Sequence, residues 1–336
     1  MGLNEKFFKS AAGGVTANEY FTPVLYTGNG GTKSISSLDF APGLVWIKTR
    51  SNQDSHFFWD TIRGPNKMLI TNSTTAELTR TGVTAFNSNG FTLGNYGGVN
   101  NSNYTYVAWC WKAGTDATND EGNTQSIVSA SVDSGFSIVQ YSGGSTLNPG
   151  HGLNSAPNLI ITKGQSATED WYIYNSESGT GKYLSWTRND DGGGVGNDAI
   201  NSNANAFSAV TDTTFTHSVT SSSLTYIAYC FHNVDGYQKI GTYTGGGSNL
   251  TVINVGFAPT MVLFKCTSNA GSTWRIFDTV RGTDKSITVN SSLAEYDDAQ
   301  NYVDFTSTGF EFNRSVTQAN PDINGSGRTY IYLAIA

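Results

Sequence analysis

The chain has 336 residues, too many for one ordinary β-sandwich and enough for two or three domains of about 100 residues each. Only 13% of its residues are charged, whereas 12% are aromatic and 38 are glycine. This composition is typical of extracellular or virion-type β proteins and unlike that of a disordered chain. The net charge of −7 and the scattered Lys and Arg residues exclude a nucleic-acid groove, which needs clustered cations.

Residues 1–22 are predicted to form a short N-terminal arm. The nearest approach to a helical pattern, 3–12, is short and ends at Gly13 and Gly14, so the segment is either an anchoring arm or a free terminus. It has no apolar core long enough for a secretory signal, and no stretch of the chain approaches 18 apolar residues. We therefore expect synthesis in a cytoplasm and no membrane insertion.

The segment that follows, 23–114, carries three strand signals. Tyr26 stands before a glycine-rich turn, an apolar run follows Pro42, and a closing strand covers 105–111. A proline two residues before an apolar run suits the start of a strand, where no ladder N–H is missed. We predict an all-β unit here.

The same spacing recurs twice downstream. A tyrosine precedes an Ala-Pro pair by 15 residues, and a lysine follows that alanine by seven residues. The three sets are Tyr26, Ala41 and Lys48; Tyr141, Ala156 and Lys163; and Tyr243, Ala258 and Lys265. The chain is therefore predicted to be all-β, with three tandem antiparallel β-sandwich units at 23–114, 124–233 (the divergent one) and 236–336, joined by brief linkers at 112–123 and 233–236.

The closing strands are apolar on both faces. In unit 1, Tyr106, Ala108 and Cys110 face one way, while Val107, Trp109 and Trp111 face the other. One face fills the sandwich core, and the other must be covered by another sheet, a neighbouring unit or a partner chain. A homotrimer would supply this cover, and we expect one on that ground.

The cysteines are interpreted as structural. Cys110 and Cys230 occupy equivalent positions in the closing strands, and Ala334 stands at the third. A position that accepts either Cys or Ala is a small buried slot, not a reactive thiol or half of a required disulfide. Cys266 aligns with unremarkable residues of the other units.

The histidines give no sign of a metal or catalytic site. His56, His151, His217 and His232 fall at four different places within the repeat, without metal-ligand spacing or a nucleophile motif. We expect no catalytic residue, no cofactor and no metal. The only weak calcium candidate is the loop with Asp190, Asp191 and Asp198, which lacks the alternating acids of a calcium template and is better explained as a solvated glycine loop.

Two Asp-Arg pairs recur at the same place in units 1 and 3. Asp60 and Arg63 in the first unit match Asp278 and Arg281 in the third, and unit 2 lacks them. The favoured interpretation is a structural turn in which the carboxylate accepts backbone N–H bonds while Arg covers it. The alternative is a saccharide-binding pair.

Aromatic clusters around Trp59, Trp171 and Trp274 have two interpretations. They are candidates for sugar-stacking platforms, but strand-core packing is the favoured interpretation for most of them, because they lie between turn signals in alternating patterns.

Several segments carry a family resemblance; they are 6–14, 26–30, 40–50, 59–64, 90–94 and 106–112. Together they resemble a repeat module of virion and tail-fibre-like structural proteins of marine bacteriophages. Unit 1 matches closely, unit 3 in part, and unit 2 mainly at its two ends. The resemblance implies jelly-roll sandwiches of the concanavalin or laminin-G kind on a phage particle, and it implies no catalytic site.

The leading functional hypothesis is a non-enzymatic virion structural protein on the particle surface, as a tail fibre or capsid decoration, made in the host cytoplasm. The N-terminal arm would contact other virion proteins. One alternative is a carbohydrate-binding receptor adhesin that uses loops at one end of the sandwiches. Another is a glycan depolymerase, which needs two carboxylates about 5–9 Å apart in a cleft; Glu77 and Glu295 show no such placement in the sequence.

Overall fold

Each repeat of the sequence folds into a six-stranded antiparallel sheet packed on a smaller one. The structure, a computed structural model, describes residues 17–144, 146–187, 201–202, 206–218, 224–297, 303–312 and 322–336. The predicted all-β class and the three tandem β-sandwich units are confirmed over these residues. The segment 1–16, which makes up most of the predicted arm, lies outside them.

The elements of unit 1 are a 3-10 turn at Ala17–Glu19, the one-turn helix α1 at Gly97–Asn100, and the strands β1 Phe21–Thr27, β2 Lys33–Ile35, β3 Pro42–Thr49, β4 His56–Asp60, β5 Lys67–Ile70, β6 Leu78–Thr79, β7 Val83–Asn87, β8 Gly90–Leu93 and β9 Thr105–Lys112. Those of unit 2 are β10 Asp116–Asn119, β11 Ser126–Ser131, β12 Phe136–Ser142, β13 Thr146–Leu147, β14 Leu159–Gly164, β15 Trp171–Asn175, β16 Lys182–Tyr183, β17 Asn201–Ser202, β18 Ala209–Val210, β19 Phe215–Ser218 and β20 Thr225–Phe231. Those of unit 3 are β21 Gln238–Thr244, β22 Thr251–Asn254, β23 Met261–Cys266, β24 Arg275–Asp278, β25 Lys285–Thr288, β26 Tyr296–Asp297, β27 Val303–Thr306, β28 Gly309–Phe312 and β29 Thr329–Ile335.

The large sheets of units 1 and 3 have one strand order, and unit 2 has the equivalent of their first four strands, as β12-β20-β14-β15. Units 1 and 3 have the orders β1-β9-β3-β4-β5-β6 and β21-β29-β23-β24-β25-β26, and in unit 2 the order is β10-β11-β12-β20-β14-β15. The closing strands β9, β20 and β29 therefore lie in the middle of their sheets, next to the strand that follows each Ala-Pro pair. Central strands are covered on both faces, which explains why these segments are apolar throughout.

Each large sheet encloses a core with the three-stranded sheet of its own unit. These sheets are β2-β8-β7, β13-β19-β18 and β22-β28-β27. In unit 1 this inner core takes one face of β9, with Tyr106, Ala108 and Cys110 fully buried. Cys230 and Cys266 are buried in the inner cores of the other two units, and all three thiols are free, as the small-slot interpretation predicts.

The outer faces of the three large sheets meet in one shared core. Residues from all three units contribute to it, including Trp109 and Trp111 on the second face of β9. Trp186 lies where the units join, with ring centroids 5.7 Å from Trp46 of unit 1, 5.1 Å from Trp171 of unit 2 and 6.1 Å from Trp274 of unit 3. The cover that the closing strands need is therefore supplied by neighbouring units of the same chain.

Unit 2 differs from its neighbours at one sheet edge. Strands β10 and β11 extend its sheet beyond β12, the strand equivalent to the edge strands β1 and β21. The prediction that 112–123 is only a linker is therefore wrong, because β10 lies within it and pairs with β11. The first strand of unit 1 also begins at Phe21, two residues before the predicted boundary.

Among the described residues, the helical segments are too short to cross a lipid bilayer.

Candidate functional site

The polar residues that recur in the repeat come together where the three large sheets meet. Asp60 ends β4, and its Oδ1 accepts a hydrogen bond from the backbone N–H of Arg63 at 2.9 Å. Its Oδ2 accepts one from Arg63 Nε at 2.6 Å, and both side chains are fully buried. The predicted turn is thus present: the carboxylate holds the backbone of the turn and the guanidinium covers the carboxylate.

Arg63 has its other donors satisfied within unit 1. Its Nη1 donates to the Lys67 carbonyl at 3.0 Å and its Nη2 to the Phe58 carbonyl at 3.2 Å. Burial acts to lower the pKa of Arg63, but the charge of Asp60 outweighs it and holds that pKa above its usual value. Arg63 and Asp60 therefore form a buried ion pair.

Unit 3 repeats this arrangement and unit 2 keeps half of it. Asp278 accepts from the Arg281 backbone N–H at 2.9 Å and from Arg281 Nε at 2.6 Å. In unit 2 the equivalent Asn175 accepts from the Ser178 backbone N–H at 2.9 Å. The backbone turn is common to all three units, whereas the charge pair belongs to units 1 and 3.

Each of the two carboxylates also accepts a hydrogen bond from a neighbouring unit. Tyr229 Oη of unit 2 donates to Asp60 Oδ2 at 2.8 Å, and Trp109 Nε1 of unit 1 donates to Asp278 Oδ2 at 2.9 Å. The Arg281 guanidinium lies over the Trp109 ring, with its Cζ 5.5 Å from the ring centroid. The Asp-Arg pair at each turn therefore also contacts a neighbouring unit, which the sequence did not predict.

The donors Trp109 and Tyr229 occupy equivalent positions of their closing strands. The third such position holds Leu333, which has no donor, and the third acceptor position holds Asn175 in place of Asp. Units 3 and 2 thus lack, at these two positions, the donor and the charged acceptor that the other units have. The divergence of unit 2 at its turn matches the substitution in the closing strand of unit 3.

A second set of contacts closes the ring in the same direction. The position opposite Lys48 holds His56 and that opposite Lys163 holds Trp171, and in unit 3 Trp274 directly precedes the last paired residue, Arg275. His56 Nε2 lies 3.0 Å from the Thr288 carbonyl of unit 3, Trp171 Nε1 donates to the Ile70 carbonyl of unit 1 at 3.0 Å, and Trp274 Nε1 donates to the Ser185 carbonyl of unit 2 at 3.2 Å. Unit 1 therefore donates to unit 3, unit 2 to unit 1 and unit 3 to unit 2, in a cyclic order.

The tautomer of His56 follows from its partners. Its Nδ1 accepts from Trp46 Nε1 at 3.1 Å, so the ring proton must lie on Nε2, where it points at the Thr288 carbonyl. Burial, with a smaller contribution from the nearby Lys48 charge, holds the pKa of His56 well below its usual value. His56 is thus a neutral substitute for the tryptophan of the other units. The sequence indicates this equivalence by spacing: His56 follows Lys48 by eight residues, as Trp171 follows Lys163.

Backbone hydrogen bonds and ion pairs join the sheets at their rims. Between units 1 and 3, Glu295 N donates to the Arg50 carbonyl at 3.0 Å, and the Arg50 guanidinium makes two 2.8 Å bonds to the Glu295 carboxylate. Between units 1 and 2, Glu77 N donates to the Gln165 carbonyl at 2.8 Å and Gln165 Nε2 lies 3.4 Å from Glu77 Oε2. Glu77 and Glu295 thus serve as contacts between units.

The three repeated lysines are buried beside these contacts. Lys48 Nζ donates to the Thr49 carbonyl at 3.0 Å, Lys163 Nζ to the Thr74 carbonyl of unit 1 at 3.0 Å, and Lys265 Nζ to the Ser272 carbonyl at 2.7 Å. Burial lowers the pKa of both Lys48 and Lys163 to about 8. The repeated lysine is therefore a carbonyl-binding residue of the shared core.

The three candidate glycan-stacking tryptophans are buried. Trp59 lies in the inner core of unit 1, and Trp171 and Trp274 lie in the shared core, all with 2% exposure or less. The prediction that they form sugar platforms is wrong, because no ring face of the three is open to solvent. Trp171 and Trp274 instead donate the hydrogen bonds that join neighbouring units.

The remaining candidates divide into two groups. His151 and His217 are buried, and desolvation lowers the pKa of His151 to about 4 and that of His217 to about 3. Asp190, Asp191 and Asp198 lie outside the described residues. Within the described part of the chain, no group of three or more His, Cys, Asp or Glu side chains is placed to hold a metal ion.

The model of a protein family described as a domain of unknown function, DUF7483, matches residues 16–336. No curated protein matches the chain.

Proposed function

The chain belongs to the DUF7483 family over all three units, and from their arrangement we propose that it is a non-enzymatic structural protein of a bacteriophage virion, displayed on the particle surface as a tail fibre or capsid decoration. The observation that carries the proposal is the use of the repeated polar residues. The Asp-Arg pairs, the lysines and the indole donors all bind other parts of the same chain. Such a molecule offers a rigid body for assembly.

The carboxylates support the non-enzymatic part of the proposal. A glycosidase needs one carboxyl group free to donate a proton and a second free to act as base or nucleophile. Asp60 and Asp278 are each held by an arginine and by a donor from a neighbouring unit. Glu295 is held by Arg50 and Arg281. Release of reducing sugar from host polysaccharide by the purified protein would contradict the proposal.

The virion part of the proposal rests on the resemblance of segments 40–50, 59–64 and 106–112 to phage virion modules. Quantitative mass spectrometry of purified particles tests it. We expect the protein in gradient-purified particles, in high copy number for a capsid decoration and in few copies for a fibre. Its presence in infected-cell lysate together with its absence from the particles would overturn the proposal.

The proposed role of the arm as the contact to other virion proteins has a separate test. Removal of 1–16 should abolish incorporation into particles while the near-ultraviolet circular dichroism of the remaining chain is unchanged. Normal incorporation of the truncated protein would show that another surface makes the contact.

The receptor-adhesin alternative must rest on residues other than Trp59, Trp171 and Trp274, since these are buried. Surface loops at one end of the sandwiches are the remaining candidates. Binding on an array of host glycans would favour this alternative, and it would favour it further if the binding survived substitution of the buried tryptophans.

The reason for expecting a homotrimer has changed. The apolar outer face of β9 is covered by units 2 and 3 of the same chain. A homotrimer would have to form through another surface. We propose that each copy on the particle is a monomer, whose three units take the place of three subunits. A trimer mass by light scattering at micromolar concentration would contradict this.

A further inference from the structure

The contact between the first and last units closes the ring without a direct chain connection. We name it the 1–3 seam and define it by Arg50 and Trp109 of unit 1 and by Asp278 and Glu295 of unit 3. Units 1 and 3 are joined through the chain only by way of unit 2. The 1–3 seam is therefore held by its non-covalent contacts alone.

Those contacts are numerous and specific. Beside the Trp109–Asp278 hydrogen bond and the Arg50–Glu295 ion pair, Asp54 N donates to the Ser292 carbonyl at 2.9 Å. The seam thus combines an apolar centre with buried and rim hydrogen bonds, which is the composition of a stable subunit interface.

The contact between units 1 and 2 is built in the same way. Tyr229 and Asp60 replace Trp109 and Asp278, and Glu169 N donates to the Thr74 carbonyl at 3.0 Å where Asp54 N meets Ser292. These two units follow each other directly in the chain, and units 1 and 3 do not. The same hydrogen bonds therefore form whether or not the two units are consecutive in the chain. The contacting surfaces, and not the chain connection, determine which units bind each other.

The buried donors also determine which surfaces match. Asp278 accepts from the Trp109 donor and Asp60 from the Tyr229 donor, whereas Leu333, at the equivalent position of unit 3, has no hydrogen-bond donor in its side chain. A mismatched pairing would remove one hydrogen bond from a buried carboxylate, at a cost of about 0.5–1.5 kcal/mol. A unit 3 from a second chain, however, carries the right residues to fill the same position.

The connection between units 2 and 3 is a compact turn that can serve as a hinge. Residues 232–237 separate β20 from β21, and Val234 and Gln238 exchange backbone hydrogen bonds of 2.9 Å across it. Gly236 supplies the positive φ, 75°, that the reversal requires. Opened, these six residues span up to about 20 Å, enough to carry unit 3 away from its own ring.

From these features we propose that a second copy of the chain binds by exchange of unit 3: each unit 3 closes the ring of the other chain through the 1–3 seam. The exchanged dimer contains two complete rings, and every seam contact is kept. The only bonds that change are those of the turn at 232–237. This inference rests on the geometry of the seams and does not depend on the proposed virion role.

Concentration decides between the two forms. Unit 3 is tethered to its own ring at an effective concentration of order mM, so a dilute solution favours the closed monomer. Shortening the turn removes that advantage because unit 3 can no longer reach its place in its own ring. Exchange should then become the main way to close the ring.

The first test is deletion of Asp235 and Gly236, two exposed residues of the turn. We expect the deletion protein to double its mass by light scattering while it keeps the near-ultraviolet circular dichroism of the tryptophan-rich core. The control is a chain with Gly and Ser residues inserted at the same turn, which should remain a monomer. A folded, monomeric deletion protein would overturn the proposal.

The second test identifies the surfaces that meet. One chain carries Asp54→Cys and another carries Ser292→Cys, and the two are refolded together at high concentration. We expect a disulfide-linked heterodimer, because unit 1 of one chain then lies against unit 3 of the other. A single chain with both substitutions is the control and should form an internal disulfide.

This second test does not depend on the deletion. If the shortened chain fails to fold, the same pair of cysteine variants with the natural turn decides the matter. An internal disulfide in the double variant, with no cross-link between the two single variants at high concentration, would show that the seam closes only within one chain.

Discussion

At the scale of single residues, each buried carboxylate both shapes its own turn and binds a neighbouring unit, and only the first role was predicted from the sequence. Asp60 shapes its own turn through Oδ1 and receives the Arg63 and Tyr229 donors at Oδ2. Because the ion pair is fully buried, its net contribution to stability depends on every partner being present. Removal of the charge and removal of one donor should therefore have different costs.

Asp60→Asn is expected to lower the free energy of unfolding by about 3–5 kcal/mol, because it leaves the Arg63 guanidinium buried without its counter-charge. Tyr229→Phe removes one donor from the same carboxylate and should cost about 0.5–1.5 kcal/mol. Urea denaturation of both variants measures the difference. Equal losses in the two variants would mean that the charge of Asp60 is not the important feature.

Three buried histidines, His56, His151 and His217, should make the protein sensitive to acid. Burial holds the pKa of His151 at about 4 and that of His217 at about 3, below the value of about 6.5 for an exposed histidine. The unfolded chain takes up protons as pH falls below about 6.5 while the folded chain does not. The stability contributed by each neutral histidine is therefore fully present above that pH and is lost toward its folded pKa.

The expected slope is a loss of about 1.4 kcal/mol per pH unit for each such histidine between pH 6 and 4. Urea denaturation at a series of pH values measures it. The Tyr141 hydroxyl lies 3.1 Å from His217 Nδ1, and a glutamine at position 217 can still meet it. His217→Gln should therefore reduce the slope of stability against pH by the contribution of one histidine. An unchanged slope in this variant would assign the acid loss to other groups.

At the scale of elements, the repeat is built around a pair of stacked tyrosines. The tyrosine before each glycine turn pairs with the tyrosine of the closing strand, as in Tyr26 with Tyr106, where the ring centroids are 5.1 Å apart. The pairs Tyr141–Tyr226 and Tyr243–Tyr330 have centroid distances of 5.7 and 4.9 Å. Two motifs that lie far apart in the sequence are thus cross-strand neighbours.

Close approach of the small sheet strands explains a second repeated feature, the glycine that opens β8 and β28. A Cβ on Gly90 would lie 1.9 Å from the Ile35 carbonyl oxygen, and one on Gly309 would lie 1.9 Å from that of Ile253. Gly90 also has a φ of 152°, which disfavours any side chain.

Gly90→Ala is therefore expected to cost about 2 kcal/mol or more, because β2 and β8 must separate to admit the methyl group. The matched control is Gly31→Ala, where a Cβ would meet no atom within 4 Å. Its effect should stay within about 0.5 kcal/mol. Thermal unfolding of the two variants compares them, and similar melting temperatures would contradict the steric argument.

At the scale of the whole molecule, the shared core makes the three units interdependent. Six of the seven tryptophans lie in it, and the seventh, Trp59, lies in the inner core of unit 1. A unit that left the ring would expose its share of this apolar surface at about 25 cal/mol for each Å². Separate unfolding of single units is thereby disfavoured.

We expect one calorimetric unfolding transition for the whole chain, with the calorimetric enthalpy equal to the van't Hoff enthalpy. Trp186→Ala, at the meeting point of the units, should lower the stability of that single transition by about 3–5 kcal/mol. Differential scanning calorimetry measures both effects. Separate transitions for the three units in the unsubstituted protein would show that the shared core does not couple them.

Much of the fold was predictable from repeated intervals. The 15-residue spacing from each tyrosine to its Ala-Pro pair located β3, β14 and β23, and both-sided apolarity showed that β9 needs cover on both faces. The turn at Asp60 was also predictable, because the Asp-Arg spacing recurs in unit 3. By contrast, β10 was taken for a linker, since three of its four residues are polar, most are exposed, and no apolar alternation marks a strand.

The sequence by itself determined the local structure of this protein: which segments are strands, where the turns fall, and that three units share one plan. These follow from spacing and from the alternation of apolar residues, which are properties of neighbouring residues. Only the tertiary structure decided what covers the second face of β9 and whether Trp171 and Trp274 meet solvent or a neighbouring sheet. Covered faces and donor-acceptor pairs such as Tyr229 with Asp60 join residues more than a hundred positions apart, and such contacts are set by how the sheets pack against one another.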